Sequence, residues 1–352
     1  AYGSTLPVKI SSGNTWAGVA GWADAGIIVP YTYYKQYGDP SILSEYYDSM
    51  AKYMDYLNSM DKRIGLRFGD WLSYAANDTQ MYEYISYVYT IWDTQMMQEI
   101  AETLGKTDDV AKWATMEQKY LDIARPLYLD ANGDHVMTQQ TALLFALKVG
   151  LYKDEAAYER GKAALVSAIE NNGNKLNTGF LGTSILMETL VEIGEADLAY
   201  ELLFQEGNPS WLYSVKQGAT TTWERWNSYS VENGFGAVSM NSFNHYAYGC
   251  VGEFMYNTML GINPDGEGFD KILLTPITTD KITYANGSYD SVNGLIKSEW
   301  KLDAKNRYTY GFTVPMNTTA TVRLEKQDGI YYVNGTDVKD ATLADDGAAF
   351  LK

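Results

Sequence analysis

The chain has 352 residues, of which 46% are hydrophobic and 20% charged, and a formal net charge of −17. That length suits roughly two domains with a sizeable core, and the composition excludes a mainly disordered chain. The acidic balance makes nucleic acid and anionic membranes poor partners, and no apolar run reaches the roughly 18 residues that span a bilayer. One cysteine, Cys250, and two histidines, His135 and His245, exclude an intrachain disulfide and a metal site rich in either residue.

Ala1 to Ile10 lacks the charged-then-apolar plan of a signal peptide, and there is no initiator Met, so the true N-terminus is expected upstream. From residue 23 to about 262 the periodicity is helical. Ile42, Tyr46, Met50, Tyr53 and Leu57 recur at three- or four-residue spacing, with Asp39 as N-cap and Pro40 at the first helical position. A second helix is predicted from about Asp78 to Leu104, with Met81, Ile85, Val88, Trp92, Met96, Ile100 and Leu104 as its buried stripe. Gly105 ends it, and Thr107 or Asp108 starts the next, which runs towards Pro126. The same Gly-then-acid punctuation recurs at Gly38-Asp39, Gly150 to Asp154 and Gly194-Glu195. Short turns of this kind make antiparallel neighbours, so the first segment reads as a series of about nine or ten helices in hairpins. An α/α barrel of six hairpins needs about twelve, so the front end is expected to be incomplete.

After Asn263 the period changes to two. Ile296, Trp300 and Leu302 share one face of Gly294–Leu302, and Tyr308, Tyr310, Phe312 and Val314 share one face of Arg307–Val314. Asn286-Gly287, Asn293-Gly294, Asp328-Gly329 and Asn334-Gly335 are predicted as tight turns. The expectation is a mainly α chain: an α/α barrel over 1–262, then a small antiparallel β-sandwich over 263–352. The Gly- and Pro-rich stretch Gly261–Gly268 is the predicted link.

Four polar-aromatic clusters stand out, all in predicted inter-helix loops. The densest is Thr220-Thr221-Thr222-Trp223-Glu224-Arg225-Trp226. A carboxylate between two tryptophans can act as a general base, and Glu224–Arg225 can equally be a buried ion pair with packed Trp. His245, in Ser242-Phe243-Asn244-His245-Tyr246, is expected to open the last helix of the first segment, where a lone histidine is commonly structural. Gly21-Trp22-Ala23-Asp24-Ala25 precedes the first helix, so Asp24 reads as an N-cap. In Gly69-Asp70-Trp71-Leu72, Asp70 is either an acceptor for sugar hydroxyls or a turn residue. Aromatics reach 14% of the chain, with 30 Tyr and 9 Trp, and such rings stack on sugars or pack cores. In an α/α barrel these loops gather at one end, and that convergence is the argument for a site. No phosphate loop, serine elbow or His-Glu-x-x-His occurs, which leaves hydrolysis by carboxylates or plain binding, without metal or cofactor.

Taken in order, these motifs resemble the bacterial α-L-rhamnosidases. Gly21–Pro30 resembles that family's GWGDA-plus-apolar-plus-Pro motif, and Gly69–Leu72 its GDWL. Thr178–Thr183 resembles TGFLGT. Pro209-Ser210-Trp211 with Gly218–Trp226 resembles PSW…GATTxWERW, and Ser242–Ala247 and Gly261-Ile262 complete the series. The resemblance implies an inverting glycoside hydrolase acting on rhamnose-containing glycosides or polysaccharides. It implies Glu224 as the general base and Trp22, Asp24, Trp71 and His245 as pocket residues, with Asp70, Trp223 and Trp226 as neighbours in the substrate-binding set. The family's general-acid stretch lies upstream of the first motif. Ala1–Ala20 contains no Asp or Glu, so that acid is expected in a preceding segment. The alternatives are another α/α-barrel carbohydrate enzyme, a non-catalytic sugar-binding protein, or a fragment that pairs with a separate N-terminal chain.

Overall fold

The computed structural model describes residues 18–60, 67–325, 341–343 and 348–351. The chain divides into two compact units. One takes the chain up to Thr32 together with Pro40–Cys250, and the other takes Tyr33–Asp39 with Val251 onward.

The first unit is built from helical hairpins. Its helices begin with α1 (Ala25–Tyr37, which ends in the second unit), α2 (Ser41–Asn58), α3 (Thr79–Thr103) and α4 (Thr107–Tyr128). They continue with α5 (Gln140–Lys148), α6 (Glu155–Glu170), α7 (Phe180–Glu192), α8 (Ala196–Leu203) and the short α9 (Trp211–Lys216), after which β1 (Tyr229–Ser230) and β2 (Gly234–Phe235) form a small antiparallel pair. α3 pairs with α4, α5 with α6 and α7 with α8, while α3, α5 and α7 stand side by side. The sequence dictates which helix goes inside. Gln140 to Leu147 of α5 are all buried, so this helix has no polar face to offer water. At nine residues it is too short to hold alone, since isolated helices under about 12–15 residues are marginal, and tertiary burial stabilises it. α6 instead buries only Ala157, Gly161, Leu165 and Ile169, a stripe of period four that suits an outer helix. Buried inner helices alternating with amphipathic outer ones make an α/α barrel.

The punctuation works through glycine. Gly105, Gly150 and Gly194 have φ of 67°, 66° and 88° after α3, α5 and α7, the left-handed turn that frees the chain to reverse. Asp78 caps α3 and Asp154 caps α6 through side-chain bonds to Gln80, Met81 and Ala157 amides. Two boundaries differ from the sequence expectation. α2 begins at Ser41, so Pro40, expected at its first helical position, stands in the cap position instead, with no side-chain bond. α4 carries Pro126 and continues to Tyr128.

In the second unit, α10 (Val251–Phe254) and a π-turn over Met255–Met259 precede the sheets. A five-stranded sheet has the order β3-β4-β8-β10-β9, from β3 (Ile262–Pro264), β4 (Lys271–Leu274), β8 (Thr319–Glu325), β9 (Ala341–Leu343) and β10 (Ala348–Leu351). A three-stranded antiparallel sheet joins β5 (Tyr284–Ser291), β6 (Gly294–Leu302) and β7 (Tyr308–Thr313). Ile262, Ile272 and Leu274 of one sheet share a core with Ala285, Ile296 and Trp300 of the other, which makes a sandwich. Tyr308, Tyr310 and Phe312 pack against that core from β7.

Three local expectations need correction. β4 and β8 pair in parallel, so the sandwich is not wholly antiparallel. Ile262–Pro264, inside the predicted link, is strand β3. Asn286-Gly287 is not a turn but lies within β5, opposite Glu299 and Ser298. Gly287 serves there as a close-approach residue, since a Cβ would run into Leu260. Asn293-Gly294 does close a hairpin: Ser291 pairs with Gly294. Asp328-Gly329 and Asn334-Gly335 lie outside the described residues.

Candidate active site

The four clusters meet around the N-terminus of α7. Asp70 is the anchor. Its carboxylate accepts backbone N–H bonds from Gly179 at 2.7 Å, Leu181 at 2.9 Å and Gly182 at 3.0 Å, and a hydrogen bond from the Thr141 hydroxyl at the start of α5. These amides are the free donors that every helix start exposes, and an anion there is favoured by the helix dipole as well. The motif glycines make the approach possible. A Cβ on Gly179 would collide with the carbonyls of Asp70 and Trp71, and one on Gly182 with the Thr141 hydroxyl. Asp70 is 1% exposed. Burial pushes its pKa up, and the Thr141 hydroxyl and the three amides pull the other way.

The same loop holds the aromatic wall. Trp71 O accepts the Phe180 N–H at 2.9 Å, and Ser73 Oγ donates to Asn177 O at 2.7 Å. Phe68 lies between two tryptophans, with ring centroids 4.8 Å from Trp22 and 4.9 Å from Trp71. Phe68, Gly69 and Leu72 all have positive φ, at 71°, 52° and 63°. Bulky residues in that region are strained, and such strain persists only where surroundings enforce it. Gly21 approaches α7 from its own loop, since a Cβ there would press on Leu181. Asp24, fully buried, turns back to its own loop. Its Oδ2 accepts the Gly21 N–H at 2.6 Å and its Oδ1 the Tyr53 hydroxyl at 3.0 Å.

Glu224 and His245 come from two segments laced together. Glu224 N donates to Ser242 O at 2.9 Å and His245 N to Thr222 O at 2.9 Å. The Thr221 hydroxyl adds a bond to Phe243 O. Glu224 Oε2 accepts the Ser242 N–H at 2.7 Å, and its other oxygen has no hydrogen-bond partner among the described residues. The half-buried Glu224 makes no ion pair with Arg225. The Arg225 Nη2 approaches Met240 Sδ at 4.0 Å instead, and its buried Nε has no partner. The ion-pair alternative for this motif therefore falls. The His245 ring packs on Phe180 at 5.0 Å, and its Nδ1 accepts the Ala247 N–H at 3.2 Å, which leaves Nε2 for the proton. His245 precedes a 3₁₀ turn, Ala247–Cys250, that runs into α10 rather than opening a full helix.

Trp226 joins the two halves. Its Nε1 donates to Thr178 O at 3.0 Å, and its ring stacks on Tyr248 at 3.9 Å. Trp223 packs edge-on to Phe243 at 5.3 Å. Both tryptophans are under 9% exposed and act as packing.

Contacts thus run from Trp22 through Phe68 and Trp71 to Phe180 and His245. They bring all eight sequence-selected residues into one neighbourhood but give them different jobs. Asp24 and Asp70, expected from the sequence in the substrate-binding set, are buried and bonded to protein donors. Glu224, Trp22, Trp71 and His245 keep exposed surface. Sequence reasoning missed Phe68, Thr141, Phe180 and Tyr248, which fix the others in place. Only Phe180, inside a motif, carried any signal. No group of three or more His, Cys, Asp or Glu among the described residues could hold a metal ion.

Comparison with known proteins gives the arrangement a context. Residues 2–259 match the bacterial alpha-L-rhamnosidase 6 hairpin glycosidase domain, and residues 261–338 match the bacterial alpha-L-rhamnosidase C-terminal domain. An alpha-L-rhamnosidase of Formosa agariphila is 36% identical over 345 residues, covering 91% of this chain and 36% of that protein. One from Streptomyces avermitilis is 34% identical over 359 residues, covering 99% of this chain and 34% of that protein. The chain therefore spans about a third of the length of these curated relatives. Among solved structures, the Streptomyces avermitilis alpha-L-rhamnosidase complexed with L-rhamnose superposes with a TM-score of 0.87 at 32% identity, over 97% of this chain and 33% of that one. The native enzyme from Aspergillus terreus does so with a TM-score of 0.83 at 30% identity, over 90% of this chain and 38% of that one.

Proposed function

This chain belongs to the bacterial α-L-rhamnosidase family, and on that premise we propose that it carries the base side of a site hydrolysing terminal α-L-rhamnosides with inversion. Glu224 is the general base. One observation carries this: of the three carboxylates gathered at the site, only Glu224 is partly exposed, with an oxygen that has no hydrogen-bond partner among the described residues and can take a proton from water. The Ser242 amide fixes the other oxygen, so the free one is held in a set direction. Trp22 and Trp71 form the apolar wall for a deoxysugar ring, and His245, with its proton on Nε2, donates to a sugar hydroxyl. Asp24, Asp70, Trp223 and Trp226 position these groups. The barrel over 1–262 holds the site, and the sandwich over 263–352 is the accompanying domain. No cofactor takes part.

Inversion calls for a second carboxyl, the general acid, separated from the base by about 6.5–9.5 Å so that a water fits between. Neither Asp24 nor Asp70 suits that part, since neither is exposed. The substrate class draws support from the rhamnose complex of the Streptomyces avermitilis relative. The test is hydrolysis of an aryl α-L-rhamnoside by the protein that carries this chain and by its Glu224→Gln form. Proton NMR of the first-formed sugar reads the anomer: β-rhamnose is expected. Retention of configuration, or near-equal rates of the two forms, would rule the reading out.

A further inference from the structure

The amide that fixes Glu224 sits in a part of the chain with little to hold it. From residue 231 to residue 247 no residue is buried, and Val238, in the 3₁₀ turn Val238–Met240 that leads into this amide, is 98% exposed. Such a stretch has no core residue to keep its shape, so hydrogen bonds carry most of its positioning. On the downstream side the Thr221 hydroxyl donates to Phe243 O, and His245 N donates to Thr222 O. On the upstream side, next to Ser242 itself, Asn241 Nδ2 donates to Ser228 O at 2.9 Å.

These bonds close a circuit around the base. Ser228 is fully buried. Its N–H donates to Arg225 O at 3.1 Å and its Oγ accepts the Arg225 N–H at 3.1 Å, so it is fixed to the residue after Glu224. Its carbonyl accepts the Gly236 N–H at 2.8 Å as well as the Asn241 amide. Ser242, the residue after Asn241, donates its N–H to Glu224 Oε2 at 2.7 Å and accepts the Glu224 N–H at 2.9 Å. The circuit thus runs Glu224, Arg225, Ser228, Asn241, Ser242 and back to Glu224. Apart from Glu224 itself, only Ser228 and Asn241 contribute side chains to it. Gly236 leaves room for the Asn241 amide, since a Cβ there would stand 3.1 Å from Nδ2. The other end of the amide, Oδ1, is buried without a partner. An unpaired buried acceptor costs the fold, so asparagine is a poor choice there for stability alone. What its side chain does is make one bond, and that bond aims the Ser242 N–H.

We propose that Asn241 is a positioning residue for the general base: through Ser228 and the Ser242 amide it holds the Glu224 carboxylate in line with the attacking water. The inference rests on the base assignment of Glu224, and the test separates the two. Aryl α-L-rhamnoside hydrolysis is measured for the protein that carries this chain, for Asn241→Ala and Asn241→Leu, for Glu224→Gln, and for each Asn241 change combined with Glu224→Gln. Alanine removes the amide together with its unpaired oxygen, and leucine keeps the volume without the donor. Both Asn241 variants should lower kcat by about tenfold to 10²-fold, the scale of a misplacement of about 1 Å, with KM unchanged. In the Glu224→Gln background the same substitutions should change kcat by less than about twofold, because the carboxylate they aim is already gone. A loss of the same factor in both backgrounds would overturn the proposal, since Asn241 would then act elsewhere. So would a rise in KM in place of the fall in kcat, or a kcat unchanged in both variants. A Glu224→Gln protein as fast as the parent would instead remove the base assignment beneath it.

Discussion

Asp70 and Glu224 sit in neighbouring loops of one barrel end and share one chemistry, yet their surroundings assign them opposite work. Asp70 is buried under four donors, three of them the free amides of a helix start. Glu224 is tied by a single amide, and its other oxygen has no hydrogen-bond partner among the described residues. A carboxylate whose lone pairs are all used stabilises the fold and has no capacity left for a proton or a hydroxyl. One that is half-satisfied and half-exposed costs the fold little and can react. On the function proposed for Glu224, the count of donors, more than residue type or motif, separates the structural acid from the reactive one.

The sharpest test of that contrast exchanges the readouts. Glu224→Gln should lower aryl-rhamnoside hydrolysis by about 10²–10⁴-fold, the usual worth of general-base catalysis. The unfolding midpoint should hardly move, because Gln keeps an acceptor for the Ser242 amide and surface changes stay within about 0.5 kcal/mol. Asp70→Ala should do the reverse in order of cause. It strands three amides and a hydroxyl in a buried place, and a loss of about 3 kcal/mol or more is expected from denaturant titration. Activity should then fall because the Trp71 loop loosens. A stable Asp70→Ala protein with a low rate would show that Asp70 works on the substrate, and the contrast would collapse.

Much of this was legible in the sequence, and the limits have a physical pattern. Helix punctuation was readable because it is local: Gly105, Gly150 and Gly194 each end a helix that begins within a few dozen residues. The Glu224 and His245 motifs were readable as aromatic-polar clusters without a helical period. The job of Asp70 was not, because its partners lie 71 to 112 residues away along the chain. For the same reason Asn286-Gly287, a common hairpin pair, was read as a turn. The strand partner and Leu260, which call for glycine there, are distant in sequence. β8 pairs in parallel with β4, some fifty residues earlier, and local alternation cannot reveal such a partner.

His135 extends the comparison to a group that is buried yet unsatisfied. Its folded pKa is about 4 because burial disfavours the charged ring, against about 6.5 in the unfolded chain. Between those values the unfolded state binds more protons than the folded one, so stability falls as pH drops from 6.5 towards 4 and levels off below. The loss from this one group should be no more than about 3 kcal/mol. His135→Gln should abolish that component, so the stability gap between the two proteins should change across the window and stay flat above pH 7. Parallel stability curves between pH 4 and 7 would mean that His135 is solvated and charges freely.

The smallest effect expected isolates burial as the variable. Asp78 caps α3 as Asp70 caps α7, by accepting backbone amides at a helix start: its Oδ1 takes Gln80 N at 3.0 Å and Met81 N at 3.3 Å. The difference is the setting. Asp78 is next to its helix in the chain and open to solvent, so water replaces the carboxylate when it is removed. Asp78→Ala should therefore cost about 1 kcal/mol, the usual value for a lost N-cap, against about three times that for Asp70→Ala. Hydrolysis should be unchanged, because the Asp78 carboxylate caps only α3, while the Phe68–Leu72 loop is held through Asn77 and Asn177. If the two substitutions cost the same, the helix-start amides alone would set the energy. Burial would then add nothing, and the Asp70 loop would be no firmer a foundation for the wall around Glu224 than an ordinary surface cap.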